Sequence, residues 1–305
     1  MRISTLQLYD AGAARIGDVQ SALAKTQQQI ATGRKMLSPS DDPVAAARAL
    51  EVAQSQSINQ QYAANRVQVK NTLGQVDGAL SSVSDALLGI RDALVSVGNP
   101  SLSDNERGFI ATELSSRFQA LLGLANTRDA QGNYLFSGFQ SATVPFVETA
   151  TGATYQGDAG QQLVQVDSTR RMAVSDTGQN IFQGGGQDVF QTLKDMVTLL
   201  QTPVVTPADR AALTAGTATG LADIDKAINA VLTVRASVGT RMQEIDSLDD
   251  AGATRDVQYK AILSEIQDLD YTQALTQQSR QQLTLEAAQQ SFVKMASLSL
   301  FNFLR

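Results

Sequence analysis

The side chains that could do chemistry in this chain are few, and carboxylates dominate them. Asp41 and Asp42 stand side by side before Pro43, while Asp268 and Asp270 lie close together near the other end, followed by Tyr271. Neighbouring acids are what general acid-base hydrolysis or a divalent cation would require. None of the 305 residues is Cys, His or Trp. Ser-His-Asp and Cys-His catalysis and disulfide scaffolds are therefore excluded, and zinc and copper sites lose their usual ligands. Both acidic pairs sit where a helix is expected to begin, and Asp268 and Asp270 have no basic partner beside them. Capping and compensation of the helix dipole account for all four acids better than catalysis does. Gly184-Gly185-Gly186 lacks the Lys-Ser/Thr of a phosphate loop and reads as a linker. No catalytic residue, metal ligand or cofactor is expected.

The elements around these acids read as helical. Gly33 falls where the preceding helical stripe calls for an apolar residue and suits the position just past a helix end. Ser38, Pro39 and Ser40 then form a linker, Asp42 caps the next helix, and Pro43 is its first residue. The six prolines, Pro39, Pro43, Pro100, Pro145, Pro203 and Pro207, leave three long proline-free runs. The run from 44 to 99 holds Tyr62, Val69, Val76, Val83, Ile90 and Val97 at seven-residue spacing, with Leu73, Leu80, Leu87 and Leu94 between them. This a/d stripe predicts a helix roughly 50 Å long. Asn99-Pro100-Ser101 should end it, and Ser103 to Glu106 should cap a return helix bearing Ile110, Leu114, Phe118, Leu121 and Ala125. A second stripe runs through Leu221, Ile224, Ile228, Val231, Arg235, Val238, Met242 and Ile245, crosses polar Asp249 to Gly252, and resumes at Tyr259, Leu263 and Ile266.

Between about 129 and 190 aromatics and glycines become frequent. Short alternating runs, Leu163 to Val166 and Arg171 to Val174, lie between turn signals, one of them Asp176-Thr177-Gly178. The expected fold is mainly α: a long antiparallel bundle or coiled coil built from both chain ends, with a small β-rich outer domain inserted. Residues 1–38 and 268–305 are expected as terminal helices, 39–128 and 203–267 as the long bundle, and 129–202 as the insert with one helix. The composition, 41 Ala and 33 Gln with 5% aromatics, suits close helix-on-helix packing. A net charge of -6 argues against nucleic acid. No run of 18 apolar residues suggests a membrane span, and the first ten residues do not read as a Sec-type signal.

The two ends carry weaker stripes: Ile16, Val19, Leu23, Thr26 and Ile30 in one, Leu275, Leu285, Ala288, Phe292 and Met295 in the other. The second finishes in an apolar run containing Leu298, Phe301, Phe303 and Leu304. Neither segment is apolar enough to stand alone as a stable helix. Their sensible partners are each other and further protein copies or neighbours, so Ile16, Leu23, Ile30, Leu285, Phe292, Met295, Leu298, Phe301, Phe303 and Leu304 form a candidate assembly face.

Three separated motifs then agree. Ala31-Thr32-Gly33 with Ser38-Pro39-Ser40-Asp41-Asp42-Pro43, Asn133-Tyr134-Leu135-Phe136-Ser137-Gly138, and Ser264 to Ala274 with the Leu298 to Leu304 ending resemble the flagellin superfamily. The Ser-Asp-Asp-Pro form is more similar to the hook-filament junction branch, that of hook-associated protein 3, than to filament flagellin. The resemblance implies a non-catalytic structural adaptor of the bacterial flagellum, required for filament attachment, whose terminal helices fold on assembly. It further implies a ring of like subunits between the hook-side junction protein (hook-associated protein 1) and flagellin. Export through the flagellar type III apparatus, a chaperone on the C-terminal region and an extracellular location are part of the same expectation. Competing readings are self-polymerising flagellin, a carboxylate-based hydrolase and a cytosolic coiled-coil binding module.

Overall fold

The computed structural model describes the backbone of residues 2–99 and 102–303, with side chains throughout these except 2–6, 8 and 296–303. The element order is α1 (Arg2–Thr32), α2 (Pro43–Val97), α3 (Asp104–Ala125), β1 (Phe146–Thr149), β2 (Gly152–Tyr155), β3 (Leu163–Gln165), β4 (Arg171–Ala173), α4 (Gly178–Phe182), α5 (Val189–Gln201), α6 (Pro207–Gln267) and α7 (Tyr271–Phe303). No described helix is long and apolar enough to cross a membrane. The chain divides into two compact units, residues 1–59 with 253–305, and residues 60–252.

In the 60–252 unit the heptads dictate the packing. From Val69 to Val97 every a and d residue of α2 is at most 5% exposed. On α6, Thr217, Ile224, Val231, Val238, Ile245 and Gly252 recur at seven-residue spacing and are all buried, as heptad packing of paired helices requires. The helix runs unbroken through the polar stretch at Asp249 to Gly252. In α3 the expected capping box is present, Ser103 and Glu106 exchanging side-chain and backbone bonds. Its buried stripe is Arg107, Ala111, Leu114, Phe118, Leu121 and Ala125, so Ile110 is displaced from the centre by Ala111.

The segment after α3 holds two antiparallel hairpins, β1–β2 and β3–β4. The turn expected at Asp176-Thr177-Gly178 instead leads directly into the short helix α4, with Thr177 as its N-cap residue. Aromatic burial holds this region together. Phe146 lies 5.3 Å from Phe182 and 5.0 Å from Phe190, and Phe118 of α3 meets Phe190 edge-on at 5.8 Å. Asn126 substitutes for a neighbouring strand, its side chain exchanging two 2.9 Å hydrogen bonds with the Phe146 backbone. The Tyr155 hydroxyl sits 2.9 Å from the carbonyls of Phe136 and Asp158. Burial, with the nearby Asp158 charge, pushes its pKa up to about 12.

Arg66 has a role that apolar periodicity does not reveal. It occupies a d position of α2 where the stripe calls for Leu, and it is 1% exposed. Its Nε donates to Asp249 of α6 and its Nη1 to the Val166 carbonyl at 3.0 Å. A Cβ on Gly252 would stand 2.5 Å from Nη2, so the glycine provides the space that the guanidinium fills. The neighbouring bonds tie the β3–β4 hairpin to the same helices: Asn65 to the Gln165 carbonyl at 2.8 Å, Arg170 to both Glu244 oxygens at 2.6 and 2.8 Å, and Arg241 to the Ala173 carbonyl at 3.1 Å.

Candidate assembly site

In the other unit the candidate residues gather in two places, a linker clip and a helix pair. The clip begins at Gly33, which directly follows α1 with φ 70° and whose N–H reaches back to the Gln29 carbonyl at 2.8 Å. Such a backbone favours glycine, and a Cβ there would also stand 3.0 Å from the Tyr271 hydroxyl. The chain then pairs with the segment linking α6 to α7. Lys35 donates to the Gln267 carbonyl at 2.8 Å, and Leu269 donates to the Gly33 carbonyl at 3.0 Å, forming an antiparallel bridge at Arg34 and Asp268.

All four candidate acids are engaged in this local backbone geometry. One Asp41 oxygen accepts from Leu37 and Ser38 N–H at 3.0 and 3.1 Å, and the other takes Lys25 Nζ of α1 at 2.6 Å. The Lys25 bond, followed by the two backbone donors, holds the Asp41 pKa down to about 2. Ser38 and Ser40 hydroxyls meet at 2.7 Å around exposed Pro39. Asp42 accepts from Ala45 N–H at 3.0 Å, capping α2 before Pro43. Asp270 accepts from Thr272 and Gln273 N–H at 2.9 and 3.1 Å, capping α7 before Tyr271. Asp268 accepts from the Ser264 hydroxyl at the end of α6. Among the described residues no group of three or more acids is placed to hold a metal ion.

The helix pair is α1 against α7. Tyr9 meets Phe292 edge-on at 5.7 Å, and its hydroxyl donates to the Met295 carbonyl at 3.4 Å. Gly12 makes room for the ring, since a Cβ there would lie 3.1 Å from it. With Gly33 beside Tyr271 at the opposite end, the two helices run antiparallel. Ile16, Leu23, Ile30, Leu285 and Phe292 are only half-buried, Met295 is 39% exposed, and in the pair Thr26 and Ala274 alone reach full burial among the described side chains. Leu298, Phe301, Phe303 and Leu304 lie outside the described side chains.

A family model described as the bacterial flagellin N-terminal helical region matches residues 3–141. Over 322 aligned positions covering 100% of both chains, the sequence is 34% identical to the flagellar hook-associated protein 3 of Salmonella typhimurium (strain LT2). The chain belongs to the hook-associated protein 3 family. Its fold is similar to a solved flagellar hook-associated protein of Vibrio parahaemolyticus, at 27% identity and a TM-score of 0.68 over 75% of this chain and 100% of that one. It is also similar in fold to the flagellar junction protein FlgL of Legionella pneumophila, at 20% identity and a TM-score of 0.63 over 72% of this chain and 100% of that one.

Membership in the hook-associated protein 3 family makes this chain a structural component of the bacterial flagellum, with a helical bundle carrying a small β-containing region. In this family member, sequence reasoning missed Lys25 as the partner of Asp41 and Tyr9 and Gly12 as the seat of Phe292. Lys25 carries no motif, but it lies one helical position before Thr26, the one fully buried residue of α1 among its described side chains. That neighbourhood was the available signal.

Proposed function

We propose that this family member is the adaptor that joins hook to filament, and that its α1–α7 pair is the element that locks into neighbouring subunits. The observation that carries the reading is the half-buried seam of that pair. Two antiparallel helices alone leave Ile16, Leu23, Ile30, Leu285 and Phe292 partly in water. A ring of copies, with the hook-side junction protein on one side and flagellin on the other, supplies the missing apolar cover and so couples completed folding to assembly. Gly33, Ser38, Pro39, Asp41, Asp42, Pro43, Asp268, Asp270 and Tyr271 act as the jointed connection to the remaining helices, and no catalysis is involved.

In this reading 1–38 with 268–305 are the assembly ends, 39–128 with 203–267 the long bundle, and 129–202 the outward insert. Delivery is by flagellar type III export, with a chaperone covering the C-terminal apolar run beforehand. Deleting residues 271–305 tests the proposal. The truncated chain should retain slow amide exchange between residues 69 and 97 yet fail to enter hook tips, leaving cells without filaments. Normal filament attachment by that truncation would overturn the assignment.

A further inference from the structure

Helix α7 carries a second apolar stripe besides the one in its seam with α1. Leu275, Leu283 and Val293 are half or more exposed, and Glu286 is exposed as well. At about 100° per residue these four fall within roughly 80° of one face, turned away from buried Ala274 and from Phe292, which packs on Tyr9 and Gly12. Among its described side chains α1 exposes no large apolar residue, so in the pair the stripe belongs to α7. The same unit holds a groove of about 280 Å³ where the linker after α1 meets the start of α2. Met36, Leu37, Ala46, Ala49, Leu50 and Ala53 give it apolar walls, with Leu50 largely exposed. Arg34 lines it too, and like Glu286 it makes no ion pair among the described residues.

Stripe and groove match in chemistry: an apolar ridge with one unpaired acid, and an apolar furrow with one unpaired guanidinium, the partner that carboxylates fit best. They cannot meet within one chain. Arg34 is held beside Asp268 at the start of α7, whereas Glu286 lies about 22 Å further along that helix from Tyr271. We infer that the outer stripe of α7 docks into the linker groove of a second copy of this chain, with Glu286 against that copy's Arg34 and Leu283 against its Leu50 wall. Two different surfaces of one chain then meet head to tail, the kind of contact that repeats from copy to copy into a ring or helix rather than stopping at a dimer. The inference rests on the assembly role proposed for the α1–α7 pair and names the surface by which neighbouring copies join.

Because the chain has no cysteine of its own, introduced thiols report the contact directly. The full chain carrying both Ala53→Cys and Leu283→Cys, assembled on hooks and treated with a short bis-maleimide, should yield a ladder of products beyond the dimer. Neither single substitution should cross-link. Dimers from Leu283→Cys alone would show stripe meeting stripe and overturn the inference, as would attached filaments with no cross-linked product. A charge exchange tests the same contact without thiols and decides the matter if the cysteine chain fails to assemble. Arg34→Glu and Glu286→Arg should each lower the number of attached filaments several-fold by setting like charges together, and the two combined should restore most of them. No restoration in the combined variant would overturn the contact. The adaptor role has its own readout: it stands if deleting residues 271–305 abolishes attachment, whatever the exchange shows.

Discussion

The two units of this chain use the same helical grammar to opposite ends. Between residues 60 and 252 the heptads close on themselves, and α2, α3, α5 and α6 share one continuous apolar core with the Phe146, Phe182 and Phe190 rings. In the unit formed by both chain ends, Ala49 and Ala274 are the buried apolar residues among the described side chains. The difference lies in the number of layers. A helix stripe is dry only when other elements cover both its flanks, and an isolated antiparallel pair covers one. The first unit is therefore built to be stable alone, and the second to gain from what surrounds it.

The largest expected effect separates the two units directly. Leu80→Ala should cost about 3 kcal/mol, read as a lower urea midpoint for exchange of the amides between 69 and 97. Phe292→Ala should change the stability read at those amides by less than about 0.5 kcal/mol, because its ring packs on Tyr9 and Gly12 within the other unit, while lowering incorporation into hook tips. Similar midpoint losses from the two substitutions would erase the distinction between the units.

Next in size is the polar layer at Arg66. Gly252→Ala should destabilise the 60–252 unit by about 1–3 kcal/mol, since a methyl group enters guanidinium space. In an Arg66→Leu background the same change should cost clearly less, and the double-mutant cycle measures the coupling. Strict additivity would show that the two residues do not share that space.

A smaller effect is expected at the clip. Gly33→Ala places a side chain at φ 70° and should destabilise the terminal unit by about 1 kcal/mol, seen as faster exchange of α1 amides with the 69–97 amides unchanged.

The smallest effect is a titration. Asp41 has a folded-state pKa held down to about 2 from an ordinary 3.8. Its bonds therefore favour the folded clip fully above the ordinary value, and that contribution is lost as pH falls from about 4 through about 2. Removing the Lys25 bond with Lys25→Ala should move the carboxylate midpoint, followed by NMR, upward toward 3.8. A midpoint that stays near 2 would assign the shift to the Leu37 and Ser38 amides instead.

The long helices were legible because burial on one face of a helix imposes a spacing that composition cannot hide, as Val69 to Val97 illustrate. The caps at Asp42 and Asp270 were legible too, because short-range hydrogen bonding is written in adjacent residues. Arg66 with Gly252 was not, since a matched large and small pair leaves no apolar period, only a gap in each stripe. The hairpins were partly readable. Leu163 to Val166 and Arg171 to Val174 alternate clearly, whereas β1 and β2 owe their placement to Asn126 and to rings distant in sequence.

The bridge between the two linkers also has a mechanical side. Both ends of the chain pass through one point, where the Lys35 and Leu269 amides hold opposite strands. A pull on α1 is thereby transmitted to α7 before either linker can straighten, and a twist applied to one is felt by the other. The two termini behave as a single two-stranded tether. Such a tether resists peeling of one end at a time and yields only when both strands of the joint give way together.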